Sequence, residues 1–166
     1  MKERDEKVET KEYVEYLFEN YNEILKDIEQ LKFELETYED LVPEEIIDAM
    51  NFSSGNDERV SSSTPSDKTC KIALIYSEVS KRMNNEAKEE IRKMIVASEY
   101  EIRKLDYCIA RLEPKIREVI KNIYIDKMAW LVISKNLYIS ENTISKYKRK
   151  GIDEVTQMYN MGRVAV

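Results

Sequence analysis

The sequence predicts an all-α fold: a long N-terminal helical hairpin or coiled coil, followed by a small helix-turn-helix bundle. Three observations carry this. Apolar residues recur at alternating spacings of three and four over most of the chain. The 166 residues include only three glycines and three prolines, so long stretches contain no helix breaker. One polar stretch without a period, 51–67, separates two such patterns. The resulting organisation is an acidic heptad helix in 1–50, a flexible polar loop in 51–67, the hairpin's second long helix in 68–105 and a helix-turn-helix domain in 106–166.

The first helix follows from Val14, Leu17, Tyr21, Ile24, Ile28, Leu31, Leu35, Tyr38 and Val42, an unbroken a/d heptad series. Pro43 stops it, so a helix over 10–41 would measure about 48 Å. Phe18 and Leu25 widen the stripe, which suits a helical bundle better than a strict two-stranded seam. Pro43, with Glu44 and Glu45 behind it, fits the first turn of a short helix over 43–50. The serine-rich run in 51–67 reads as a solvated linker. Ser66 or Asp67 then suits the cap of a helix starting near Lys68. Ile72, Ile75, Val79 and Met83 form one apolar face of it, and Ile91, Ile95, Ile102, Leu105, Ile109 and Leu112 the next. Asn84-Asn85 between them is a point where the helix is expected to break or bend. Two such helices make a thin core, so a third helix or a second subunit is expected against them.

Composition excludes much chemistry. Without a single histidine, His-based metal sites, Ser-His-Asp triads and imidazole acid/base steps are out of reach. Three glycines cannot supply a phosphate-cradling loop as well as turns. The carboxylates sit at helix-surface spacing, and Cys70 and Cys108 stand apart without partner ligands. No enzyme activity, metal or cofactor is expected. With no apolar run long enough to cross a bilayer and no leader-like N-terminus, a cytoplasmic protein is expected, with no membrane partner. The net charge of −6 conceals a gradient. Residues 1–60 carry 7 basic and 19 acidic side chains, 61–113 carry 10 and 9, and 114–166 carry 10 and 5. The basic last third points to a polyanion, and the acidic first third would discourage non-specific contact with one.

The last third also has a specific layout. Pro114 opens a helix with Ile116, Val119, Ile120 and Ile123 on one face. A short helix over about Met128–Asn136 follows, with Trp130, Leu131 and Ile133 as its large apolar residues. Ser134 is small where two helices must approach closely, and Leu137 and Ile139 plug the core on either side of a turn. Ser140 N-caps the last helix and Glu141 suits its positive end. Ile144, Ile152 and Val155 mark the buried stripe, with Tyr147 or Lys148 between them, so Asn142, Ser145, Lys146 and Arg149 share the outer face. A helix of this kind enters the major groove, where short polar and basic groups reach base edges. The DNA-contacting candidates are Ser140, Glu141, Asn142, Thr143, Ser145, Lys146, Lys148, Arg149 and Lys150, with four cations in five residues around Tyr147.

Leu112–Tyr124, Ile139–Ile144 and Lys148–Val155 together resemble region 4 of sigma-70 family factors. With the heptad helix, the loop at 57–68 and the long helix before them, most of the chain resembles phage-encoded regulators of the RinA and ArpU type from Gram-positive bacteria. The specific motif lies in the last 55 or so residues. The resemblance implies a transcription regulator of phage late or packaging genes, with promoter or operator duplex DNA as partner and RNA polymerase as a second. Nothing like region 2 precedes the motif, which favours a regulator over a stand-alone initiation factor. A homodimer through the N-terminal helices would set two recognition helices on half-sites about 34–36 Å apart. Two other readings stay open: a DNA-packaging protein like a small terminase, forming a ring, and a coiled-coil adaptor that touches protein alone.

Overall fold

The computed structural model describes the backbone of residues 2–46 and 67–161, and side chains within 9–46 and 74–161. These residues are mostly helical, with no strand among them. In chain order the helices are α1 (Lys2–Glu19), α2 (Tyr21–Glu36), α3 (Asp67–Ala110), α4 (Pro114–Tyr124), α5 (Trp130–Leu137) and α6 (Glu141–Met161). A helical turn at 43–46 follows α2. The expected linker lies outside the described residues except for Asp67, where α3 begins, as does the 47–50 end of the short helix.

The helix expected over 10–41 is divided at Asn20. Backbone bonds pass through this point, from Asn20 N to Tyr16 O (3.0 Å) and from Ile24 N to Asn20 O (2.9 Å). The Asn20 side-chain amide also donates to Tyr16 O at 2.9 Å, competing with the regular ladder. The second half ends at Glu36, where the Thr37 hydroxyl donates to Phe33 O at 2.8 Å.

The chain divides into two compact units, residues 1–29 with 96–166, and residues 30–95. Their boundaries fall inside α2 and α3. In the unit 30–95, the segment after α2 is fastened to α3 by polar groups. Leu41 N donates to Asn84 Oδ1 (3.0 Å), and Asn84 Nδ2 and the Ser80 hydroxyl both donate to Leu41 O, the former at 3.0 Å. Asp40 pairs with Lys88 at 2.6 Å, and the Lys88 ammonium lies 5.2 Å from the Tyr38 ring centroid. α3 runs unbroken through Asn84-Asn85. The buried Asn84 spends its amide on Leu41 instead of on its own helix backbone.

In the other unit, α6 packs against α1, α4 and α5. Val14, Leu17 and Phe18 of α1, Ile116, Val119 and Ile120 of α4, and Val155 and Tyr159 of α6 are all buried. Phe18 stacks on Tyr124 with centroids 4.9 Å apart, and Tyr13 meets Tyr159 edge-on at 6.5 Å. Polar ties within this unit reach α2 and α3 as well. Lys11 pairs with Asp153 at 2.8 Å, the Tyr21 hydroxyl donates to Asp106 at 3.0 Å, and Asn22 Nδ2 donates to Ile125 O at 2.8 Å. The N-terminal heptad helix thus contributes its first half to the bundle that carries α6.

Gly151 sets how closely α4 and α6 approach. A Cβ there would lie 2.7 Å from Ile120 Cγ1 and 2.8 Å from Cδ1. This lone glycine inside a long helix is the price of close packing, since glycine costs a helix interior about 1 kcal/mol relative to alanine.

Candidate functional site

The face singled out in the sequence lies on the first turns of α6, and the elements before it fix its position. Val119, Ile133 and Ile144 form a fully buried knot, with Ile123, Leu137, Ile139 and Tyr147 packed around it. α5 and α6 are joined by the turn Tyr138–Ser140. Tyr138 caps α5 in the left-handed conformation (φ 53°, ψ 42°), and its N–H bonds back to Ser134 O. Ile139 N donates to the same carbonyl at 3.2 Å, and the Ser134 hydroxyl donates to Ile139 O at 2.6 Å. Ser134 is therefore small for packing and also spans the turn.

Ser140 opens α6 as expected from its position. Its Oγ accepts from Thr143 N at 3.3 Å and lies 3.0 Å from Thr143 Oγ1. Its carbonyl accepts from Thr143 N (2.9 Å) and Ile144 N (3.0 Å). The cap satisfies helix N–H groups that would otherwise lack partners.

Of the nine sequence-predicted residues, Ser140, Glu141, Asn142, Ser145, Lys146, Arg149 and Lys150 are exposed, while Thr143 and Lys148 are half-buried. Asn142, Ser145, Lys146 and Arg149 occupy one strip by helical spacing, opposite Ile144 and Gly151. Lys148 turns aside, its ammonium 5.5 Å from the Tyr124 ring centroid. Lys150 leaves the strip as well and lies between Glu113 (3.5 Å) and Glu154 (3.7 Å). Exposed pairs of this kind are worth little, so they hold Lys150 loosely. Thr143 serves the cap.

Two neighbours of the strip left no trace in the sequence pattern. Lys11 and Glu15 of α1 line an open cleft of about 300 Å³ with Ser145, Lys148, Arg149 and Ile152. The Asp153 carboxylate, bonded to Lys11, holds its ammonium above the usual lysine range, and Arg149 nearby works in the opposite sense. From Ile152 onward, α6 buries the side next to its outward strip, so the strip ends where α1 begins to cover the helix.

Among the described residues, no three His, Cys, Asp or Glu side chains gather as metal ligands, and no helix is long and apolar enough to cross a membrane. Cys108 is buried, and burial raises its thiol pKa above the ordinary value. Comparison with protein-family models, with curated proteins and with solved structures found no match.

Proposed function

We propose that this chain is a sequence-specific DNA-binding regulator of transcription, of phage or prophage type, which reads the major groove with residues 140–150. The observation that carries the reading is the exposed strip of Asn142, Ser145, Lys146 and Arg149 on a capped helix, seated on a dry core and preceded by a short helix and a tight turn. Short polar groups and long cations at that spacing suit base edges and the flanking phosphates. Glu141 at the positive end of α6 is placed to accept from a cytosine amino group.

The finer architecture belongs to the same proposal: α5 and α6 act as a helix-turn-helix, and the long helices before them form a hairpin or coiled coil that pairs copies or holds a partner. The resemblance to sigma-70 region 4 and to RinA- and ArpU-type regulators supports transcription as the output, with RNA polymerase as a second partner. On this reading the protein is a cytoplasmic binding protein that catalyses nothing.

The test is duplex binding by the full chain across a salt series, with ligands selected from fragments of the source genome. Lys146→Ala with Arg149→Ala should weaken binding and flatten the dependence on salt by about two phosphate equivalents. A wild-type chain that binds no duplex at low salt would overturn the reading.

A further inference from the structure

The outward strip of α6 borders the cleft where α1 begins to cover the helix. Ser145 and Arg149 belong to both, and they line the cleft with Lys148 of α6 and with Lys11 and Glu15 of α1. A helix from the other end of the chain thus adjoins the surface proposed for DNA.

The charges in and beside this cleft do not cancel. Lys11, Lys148 and Arg149 stand against Glu15 and against Asp153, which is bonded to Lys11 at 2.8 Å, so three cations meet two carboxylates. Glu15 and Lys148 both lie near Tyr124. The carboxylate pushes the tyrosine pKa up, and the ammonium is 5.5 Å from the ring centroid, so the two offset each other there. Arg149 has no carboxylate partner among the described residues, and it is near enough to act against the charge of Lys11. Like charges brought this close repel, and an anion placed between them relieves the repulsion.

We infer that Lys11 and Arg149 together hold one backbone phosphate of duplex DNA beside the groove that α6 reads. The inference rests on the DNA-binding reading and assigns part of the contact to α1. The chemistry suits a phosphodiester. A guanidinium donates to two phosphate oxygens at once, and an ammonium has three donors, of which Asp153 takes one. The Ser145 hydroxyl in the same cleft is a further donor of the kind that contacts phosphates. Asp153 does not silence Lys11. Their side chains are 46 % and 41 % exposed, and the attraction in so open a pair is weak. Its main effect is to order the flexible lysine stem in advance, which lowers the cost of seating a phosphate. The acidic N-terminal third therefore brings a cation to the DNA at the point where it meets α6.

The test is the salt dependence of binding by the full chain to a mixed-sequence DNA duplex, because phosphate contacts carry no sequence information. Lys11→Gln should lower the slope of log affinity against log salt by about 0.9 and weaken binding about eightfold at about 0.1 M salt, the counterion release of one phosphate. Lys11→Arg should keep the wild-type slope. Asp153→Asn breaks the same ion pair but leaves the cation, so it too should keep the slope. Lys11→Gln and Asp153→Asn lose that pair alike, so a difference between them reports the phosphate and not the fold. An unchanged slope in Lys11→Gln overturns the inference while duplex binding by wild type stands. So does an Asp153→Asn slope lowered as far as that of Lys11→Gln, which would make Lys11 a strut between α1 and α6. A wild-type chain that binds no duplex overturns the DNA-binding proposal itself, and this inference with it.

Discussion

Tyr138 brings backbone cost and side-chain exposure together at one residue. Its left-handed φ of 53° closes the turn between α5 and α6, and its exposed ring returns no packing energy. Glycine adopts the same conformation freely. Tyr138→Gly should therefore raise the unfolding free energy by about 1 kcal/mol under dilute, monomeric conditions, a rise of several degrees in Tm for a domain of this size. Tyr138→Ala keeps the strained backbone and should give almost none of that gain. Chemical denaturation of the two variants side by side separates the backbone effect from loss of the ring. Equal stability of the glycine and alanine variants would show that the turn stores no strain.

Helix packing adds a second kind of constraint, seen at Gly151. Alanine there gains about 1 kcal/mol of helix propensity but drives a methyl into Ile120, which is fully buried. Overpacking of a filled core costs about 1–3 kcal/mol, so Gly151→Ala should destabilise on balance. Adding Ile120→Val, which removes the Cδ1 atom 2.8 Å from the new methyl, should recover part of the loss. A double-mutant cycle in urea measures that coupling; simple additivity would contradict it. The same pair of helices marks how far the sequence could be read. Periodicity identified the helices, and chemistry identified the ends that Pro114 and Ser140 set. The outward strip was legible too, because Ile144, Ile152 and Val155 fix which side of α6 is buried. Asn20 and Asn84 were not, because an amide can bond its own helix or a neighbour and the sequence is silent on which. Lys11 and Glu15 beside Arg149 were equally hidden. A heptad stripe shows that a helix needs cover, whereas its partner is chosen by shape and distance in the folded chain.

At the scale of the whole molecule, titration behaviour follows from one absence and three buried tyrosines. With no histidine, no side chain has an ordinary pKa inside the imidazole range, so stability should change little between about pH 6 and 8. The alkaline limb is different. Burial, reinforced by the hydrogen bond to Asp106, pushes the Tyr21 hydroxyl up to about 12. Burial does the same for Tyr124, to about 12, with Glu19 and Glu15 adding to it, and raises Tyr159 further in the same direction. A folded pKa above the unfolded value of about 10 means the native state holds the proton more tightly. The stabilisation is then fully present below about pH 10 and is lost as pH rises from there through about 12, on the order of 3 kcal/mol for each of Tyr21 and Tyr124. Phenolate absorbance followed alongside circular dichroism checks this. Tyr21, Tyr124 and Tyr159 should ionise only as the helices melt. Tyr21→Phe removes one late-ionising group and the Asp106 bond together. It should shift the alkaline midpoint upward even if stability at pH 7 falls. All tyrosines ionising together near pH 10 in a still-helical protein would show that the α1–α4–α6 core is open to water.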